Sequence, residues 1–190
     1  CIPFNDSPTP AWEWAAAFAA TSAVSVRADP AVPLQYLTVP NVLAPPLASR
    51  WSLTTRNNTL LYGGCSTWTV DASGNLVIEN MVTTYVTNAA GQPDNSYLEI
   101  ETLFLIVFVL RSLSAMVTAK YSRVKLAADG TRVRPNSNVV MPSTIRADII
   151  ALYRELEGQG YVQKSAEFAA GLVVEKDATN PNRVNVLLPA

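Results

Sequence analysis

The sequence predicts an α+β fold: an antiparallel or mixed sheet packed with several helices and closed by a terminal β-hairpin. Three observations carry that reading. Two stretches pair β-forming runs across short polar turns, one at residues 65–87 around "DASGN" and one formed by "LVVEKD" and "RVNVLLP" around "ATNPN". Between and before them lie segments with helical spacing of apolar residues. Strands and helices are therefore segregated along the chain rather than alternating, which argues against a parallel α/β sheet.

The first element is a helix in "SPTPAWEWAAAFAATSAVSVRADP", with Thr9 as N-cap, Pro10 at the first helical position and Asp29-Pro30 as the stop. Its alanines leave a smooth flank for close packing. Prolines 33, 40, 45 and 46 then fix φ and remove donors, so "AVPLQYLTVPNVLAPP" is expected to be an extended connection and not a central strand. A short helix follows in "TTRNNTLLYGG", begun by Thr54 or Thr55 and ended by Gly63-Gly64. The first hairpin comes next. Ser96 and Glu99 read as a capping box opening the longest helix, over residues 97–121. After a polar connection with a turn at Asp129-Gly130, Ser143 or Thr144 is expected to cap a helix whose stripe is Ile145, Ile149, Leu152 and Leu156 and which stops at Gly158 and Gly160. A turn of helix around "SAEFAAG" precedes the last hairpin. Internal repeats and heptads are absent from the sequence.

Composition narrows the function classes. Of the 190 residues 49% are apolar and only 15% charged, against roughly 25% charged in an ordinary soluble domain. A surface so poor in charge fits a membrane protein or a subunit buried against copies of itself. The longest unbroken apolar run, "LFLIVFVL" at residues 103–110, is far short of the roughly 20 residues of a membrane span. It is expected to be a helix covered by protein on most sides, with no membrane insertion. No leader pattern stands at the start, and beginning at Cys1 suggests a piece of a longer chain.

Catalytic chemistry finds little to use. There is no histidine, which removes Ser-His-Asp and Cys-His mechanisms and the commonest metal ligand. Two cysteines, Cys1 and Cys65, read as free thiols. "GGCSTW" lies between helix and strand, the reverse of a nucleophile elbow, so a hydrolase using Cys65 is a poor alternative. Glu99 and Glu101, like Glu155 and Glu157, are two apart on a helix and diverge by about 200°, which does not make a general acid/base pair. "DASGN" lacks the remaining ligands of a calcium loop, and no phosphate-binding glycine motif occurs. No cofactor or metal is expected. The net charge of −1 predicts no broad attraction to nucleic acid. Its distribution is uneven. Residues 57–110 hold no Lys or Arg but Asp71, Glu79, Asp94, Glu99 and Glu101, whereas residues 111–134 hold Arg111, Lys120, Arg123, Lys125, Arg132 and Arg134 against Asp129 alone. Opposed patches on one subunit suit a repeating head-to-tail contact.

The strings "RNNTLLYGGCSTWTVDASGNLVIENMVTTYVTNAAGQPDNSYLEIETL", "KLAADGT" and "NPNRVNVLLPA" resemble, in order and spacing, the C-terminal half of the tail sheath proteins of Mu-like contractile-tailed bacteriophages and prophages. Leu60, Leu61, Gly64, Thr69, Val70, Asp71, Gly74, Thr83, Thr84, Tyr85, Thr87, Asn88, Gly91, Asp94, Ser96, Tyr97 and Leu98 stand at matching positions. Members of that family have a large N-terminal portion that this sequence lacks, and they continue past the "LLP" strand. The resemblance implies a central sheath-domain portion over residues 1–95 and a C-terminal sheath domain over residues 96–190. It further implies a structural, non-enzymatic subunit of the virion tail, assembled in the host cytoplasm as stacked hexameric rings around the tail tube, whose contraction drives the tube through the host envelope. The implied partners are copies of itself, the tail tube protein, and baseplate and tail terminator proteins. A non-contracting tube or baseplate component is the alternative. Tube-facing candidates are Arg146, Arg154, Glu155 and Glu157, expected to be exposed opposite the apolar stripe. Inter-subunit candidates are Arg123 and Lys125 in the basic block and Val184, Val186 and Leu188 in the last strand.

Overall fold

A computed structural model describes residues 2, 6–135 and 137–189. The chain divides into two compact units, Cys1–Ile106 and Val107–Ala190.

In the first unit, α1 (Ala11–Ala28) buries Trp14, Phe18, Ser22 and Val26. The spacing of four puts them on one slowly drifting face. Trp14 stacks on Phe18 with centroids 5.7 Å apart and tilts against Trp68 at 5.2 Å. Pro10, and not Thr9, occupies the N-cap position. The Thr9 hydroxyl instead accepts the Leu43 N–H at 2.9 Å, so a long-range partner outcompetes the local cap.

The first hairpin forms as expected. Strands β1 (Thr67–Val70) and β2 (Leu76–Asn80) pair antiparallel, with an irregularity between Thr67 and Trp68. Their turn is held by Asp71, whose carboxylate accepts the N–H groups of Ser73 and Asn75. The proline-rich segment runs extended along β2, with Tyr36 N–H on the Ile78 carbonyl, Ile78 N–H on that of Leu37, and Val39 N–H on that of Leu76. Prolines at 33 and 40 bracket this short pairing, so it reduces to an isolated bridge at Thr38. Trp14, Phe18, Leu34, Ile78 and their neighbours make one core.

The short helix starts earlier than expected. Ser52 caps α2 (Leu53–Thr55) by accepting the Thr55 N–H, and the helix widens into a π turn over Arg56–Leu61. Arg56 forks onto both Glu79 oxygens at 2.7 and 3.0 Å. Gly64 then ends the segment with φ +72°, its Cα facing the Thr84 backbone.

The capping box does not form. Helix α3 (Ile100–Tyr121) starts three residues late, because the Ser96 hydroxyl and N–H both donate to Asp94, which also accepts the Tyr85 hydroxyl. The expectation that this helix is sheathed by protein fails too. Only Leu113 is buried. Small and weakly polar residues extend the apolar stretch past Arg111, so α3 is, by length and composition, long and apolar enough to cross a membrane. The unbroken run at 103–110 was too narrow a measure.

In the second unit, β3 (Lys125–Leu126) and β4 (Val139–Val140) make a parallel ladder within the segment read as connection. Helix α4 (Pro142–Gly158) has Met141 at its N-cap and Pro142 in its first turn, so neither Ser143 nor Thr144 caps. Asp129 reaches across to accept the Ser143 N–H and hydroxyl. Ile145, Ile149 and Leu156 are buried as expected. Then come α5 (Ser165–Gly171) and the hairpin of β5 (Val173–Lys176) and β6 (Val184–Leu187). Leu113, Val140, Ile145, Ile149, Phe168 and Leu172 form the core, with Tyr153 stacked on Phe168 at 3.7 Å. Strands in the described residues thus make three separate two-stranded ladders.

Candidate assembly surfaces

Helix α4 does not present the four-residue charged face that the sequence suggested. Residues 146 and 157 are eleven apart, about three full turns, and so share one face, while residue 155 lies half a turn from 146. Arg146 is half-buried. Its Nε donates to the Leu172 carbonyl at 3.1 Å and its terminal nitrogen to that of Ala169. Glu157 is half-buried and accepts the Ser165 N–H at 2.9 Å. Ser165, through its side chain first and its N–H second, holds that carboxyl below the usual range. Arg154 and Glu155 alone of the four are exposed, with Gln159 near Glu155.

The terminal hairpin is two-faced. Val184 and Leu188 are half-buried and pack with Val174 against the second core. Val186 is 42% exposed although it pairs with Val174 on the face of Val184, and the opposite face carries Val173 at 44% and Leu187 at 66%. Period-two alternation with the core face at 184 would have placed 187 outward. The turn is fixed by Asp177, nearly buried, which accepts the N–H groups of Thr179 and Asn180 and bonds from the Thr179 hydroxyl, Asn185 and Arg183. The Thr179 hydroxyl foremost, then the Asn180 N–H, the Asn185 side chain and the Thr179 N–H, hold its carboxyl far below the ordinary range.

Arg123 and Lys125 are both exposed, as are Arg111, Arg132 and Arg134. Four other cations pair with carboxylates among the described residues: Arg56 with Glu79, Lys120 with Asp148, Lys164 with Glu167 and Arg183 with Asp177. On the acidic side Glu99 is exposed, and partial desolvation followed by repulsion from Glu101 raises its pKa. Phe104, Ile106, Val107 and Leu110 of α3 are each more than 40% exposed, a surface that composition alone did not reveal. Cys65 is a free, half-buried thiol, and Cys1 lies outside the described residues. The chain holds no imidazole to activate Cys65, and no group of three or more His, Cys, Asp or Glu among the described residues suits a metal ion.

Exposed apolar side chains on a helix and a hairpin, together with exposed cations, are features of a subunit interface. Two family models divide the chain between them, the phage tail sheath protein central domain over residues 3–84 and the phage tail sheath C-terminal domain over residues 92–190. The chain belongs to the phage tail sheath family. This sheath chain is 44% identical over 183 residues to the Mu-like prophage FluMu tail sheath protein of Haemophilus influenzae, an alignment covering 96% of the chain and 37% of that relative. It therefore spans well under half of the relative's length. Its fold is similar to that of the sheath tail protein from Desulfitobacterium hafniense, with a TM-score of 0.53 over 77% of this chain and 31% of the other, at 11% identity.

Proposed function

We propose that this chain supplies the central and C-terminal portion, residues 1–95 and 96–190, of a structural subunit of a contractile tail sheath. In this reading subunits assemble in the host cytoplasm as stacked hexameric rings around the tail tube, become part of the virion, and contract to drive the tube through the host envelope. The observation that carries it is the match of two successive sheath domain models along the chain, joined by 44% identity to a Mu-like tail sheath protein. The physical requirement is two packings of nearly rigid subunits, the contracted one burying more surface. Exposed apolar side chains on α3 and β5–β6 supply material for such burial.

Within that assembly Arg154 and Glu155 are the tube-facing candidates, because Arg146 and Glu157 are engaged inside the subunit. Neighbouring subunits, on this reading, meet Arg123, Lys125 and the terminal hairpin, through Val186 and, on its other face, Val173 and Leu187. The tail tube protein is the inner partner, and baseplate and terminator proteins cover the ends. Electron microscopy of the full-length protein expressed alone tests the reading. Wide hollow polysheaths are the expected product, and thin tubes or isolated rings would point to a non-contracting tube or baseplate component. Co-sedimentation of those polysheaths with tail tubes is expected to weaken when Arg154 and Glu155 are both alanine. Undiminished co-sedimentation removes them from the tube face.

A further inference from the structure

A two-stranded hairpin is marginal by itself in water, and β5–β6 has no third strand among the described residues. Its inner face rests on the core through Val174, Val184 and Leu188. That apolar contact is non-directional, and the angle at which the hairpin leaves the subunit needs a directional restraint at its root. The root is the stretch 169–172, where α5 ends and β5 begins. The last carbonyls of a helix have no partner within it. Here Arg146, arriving from the second turn of α4, donates to two of the carbonyls at this junction, those of Ala169 and Leu172. Guanidinium donors are fixed in one plane, so bridging two carbonyls sets direction as well as distance. The far side of the junction is closed as well. A Cβ added at Gly171 would lie 2.8 Å from the Pro189 Cβ, so the chain leaving β6 seats against the start of the hairpin only because residue 171 is glycine. At the other end of α5, Glu157 accepts the Ser165 N–H. Two side chains on one face of α4 thus pin the two ends of the seven-residue α5.

We propose that Arg146 is a positioning residue that sets the pose of the β5–β6 hairpin on α4, with Glu157 as the second pin. It is not a group that contacts the tail tube. The bearing of this on assembly rests on the proposed role of the hairpin between subunits, whereas the latch itself does not.

Amide hydrogen exchange on the 190-residue chain reads the latch directly. Arg146→Ala is expected to speed exchange across residues 173–187 by about tenfold or more, the consequence of losing a charge-assisted bond, while exchange in α1 stays unchanged and that in α4 changes little. Arg146→Lys, with one donor group able to reach one carbonyl, is expected to fall between, and it serves as the folded comparison if the alanine variant proves unstable. Unchanged exchange in the hairpin, or acceleration spread evenly over α4 and the hairpin in both variants, overturns the proposal. Polysheath formation by full-length protein carrying the same substitutions separates the two claims. A loosened hairpin with normal polysheaths supports the latch and removes the hairpin from the subunit interface.

Discussion

At the residue scale, two glycines of like backbone conformation and unlike surroundings isolate what a close approach is worth. Gly64 and Gly74 both hold positive φ, +72° and +85°, where an L side chain costs about 1–2 kcal/mol. Around Gly74 nothing lies within 4 Å of an added Cβ, whereas at Gly64 it would stand 2.9 Å from the Thr84 Cα. Backbone cannot swing aside as a side chain can, so an overpacking cost is added to the strain. Gly74→Ala is expected to lower stability by about 1–2 kcal/mol and Gly64→Ala by about 3 kcal/mol or more, read from urea midpoints at constant m. Equal losses would mean that the segment at 83–84 yields freely. The same scale explains the misplaced caps. Thr9, Ser96 and Ser143 each carry the right side chain for a helix start, but Leu43, Asp94 and Asp129 claim them. No local sequence window contains those partners for Thr9 and Ser143.

At the scale of elements, α3 and α4 are tied by one polar cluster whose titration has a definite sign. Asp148 accepts the Tyr121 hydroxyl and, at 2.9 Å, the Lys120 ammonium. The tyrosine bond first and the lysine second hold its pKa below the ordinary 3.8. A carboxyl lowered in the folded state contributes stability above 3.8 that is lost as pH falls through and below it. Desolvation first, then the Asp148 bond, pushes Tyr121 up to about 12 from 10.0. A raised pKa gives stability that is complete below 10.0 and lost as pH climbs toward 12. Thermal unfolding of Asp148→Asn is therefore expected to show a weaker acid decline than the parent, and Tyr121→Phe a weaker alkaline decline. If Tyr121→Phe tracks the parent between pH 10 and 12, the bond is absent in solution. Most elements were legible beforehand. The two hairpins and α4 announce themselves because periods of 2 and 3.6 and their turn residues lie within a dozen neighbouring positions. The β3–β4 ladder was not legible, since two residues against two across a polar loop leave no period. The division of α4 was legible in principle: eleven residues return to the same face, so Arg146 and Glu157 were never on one side with Glu155. The bareness of α3 was not, because apolar composition specifies that a helix be covered without saying by which chain.

At the scale of the whole molecule, charge and apolar surface must be accounted for together. The cations of residues 111–134 other than Lys120 are exposed and, among the described residues, make no ion pair of the kind that Arg56, Lys120, Lys164 and Arg183 make. The cation-free stretch at 57–110 keeps Glu99 exposed. A heterologous contact between copies pairs such surfaces without any need for self-complementarity, and repeats into rings or helices. Exposed pairs contribute only about 0–1 kcal/mol each to folding, so reversing Arg123 and Lys125 to glutamate is expected to leave the unfolding midpoint nearly unchanged. Repulsion across a repeated interface acts once per subunit contact, and like-charge juxtaposition costs several kcal/mol. Full-length protein carrying both reversals is therefore expected to stay folded but to fail to form polysheaths near 0.1 M salt, where the screening length is about 10 Å. Raising salt toward 1 M, where it shortens to about 3 Å, is expected to restore part of the assembly. Normal polysheaths at low salt would show that the basic block faces solvent in the sheath, and would leave the apolar faces of α3 and β5–β6 to specify the contact.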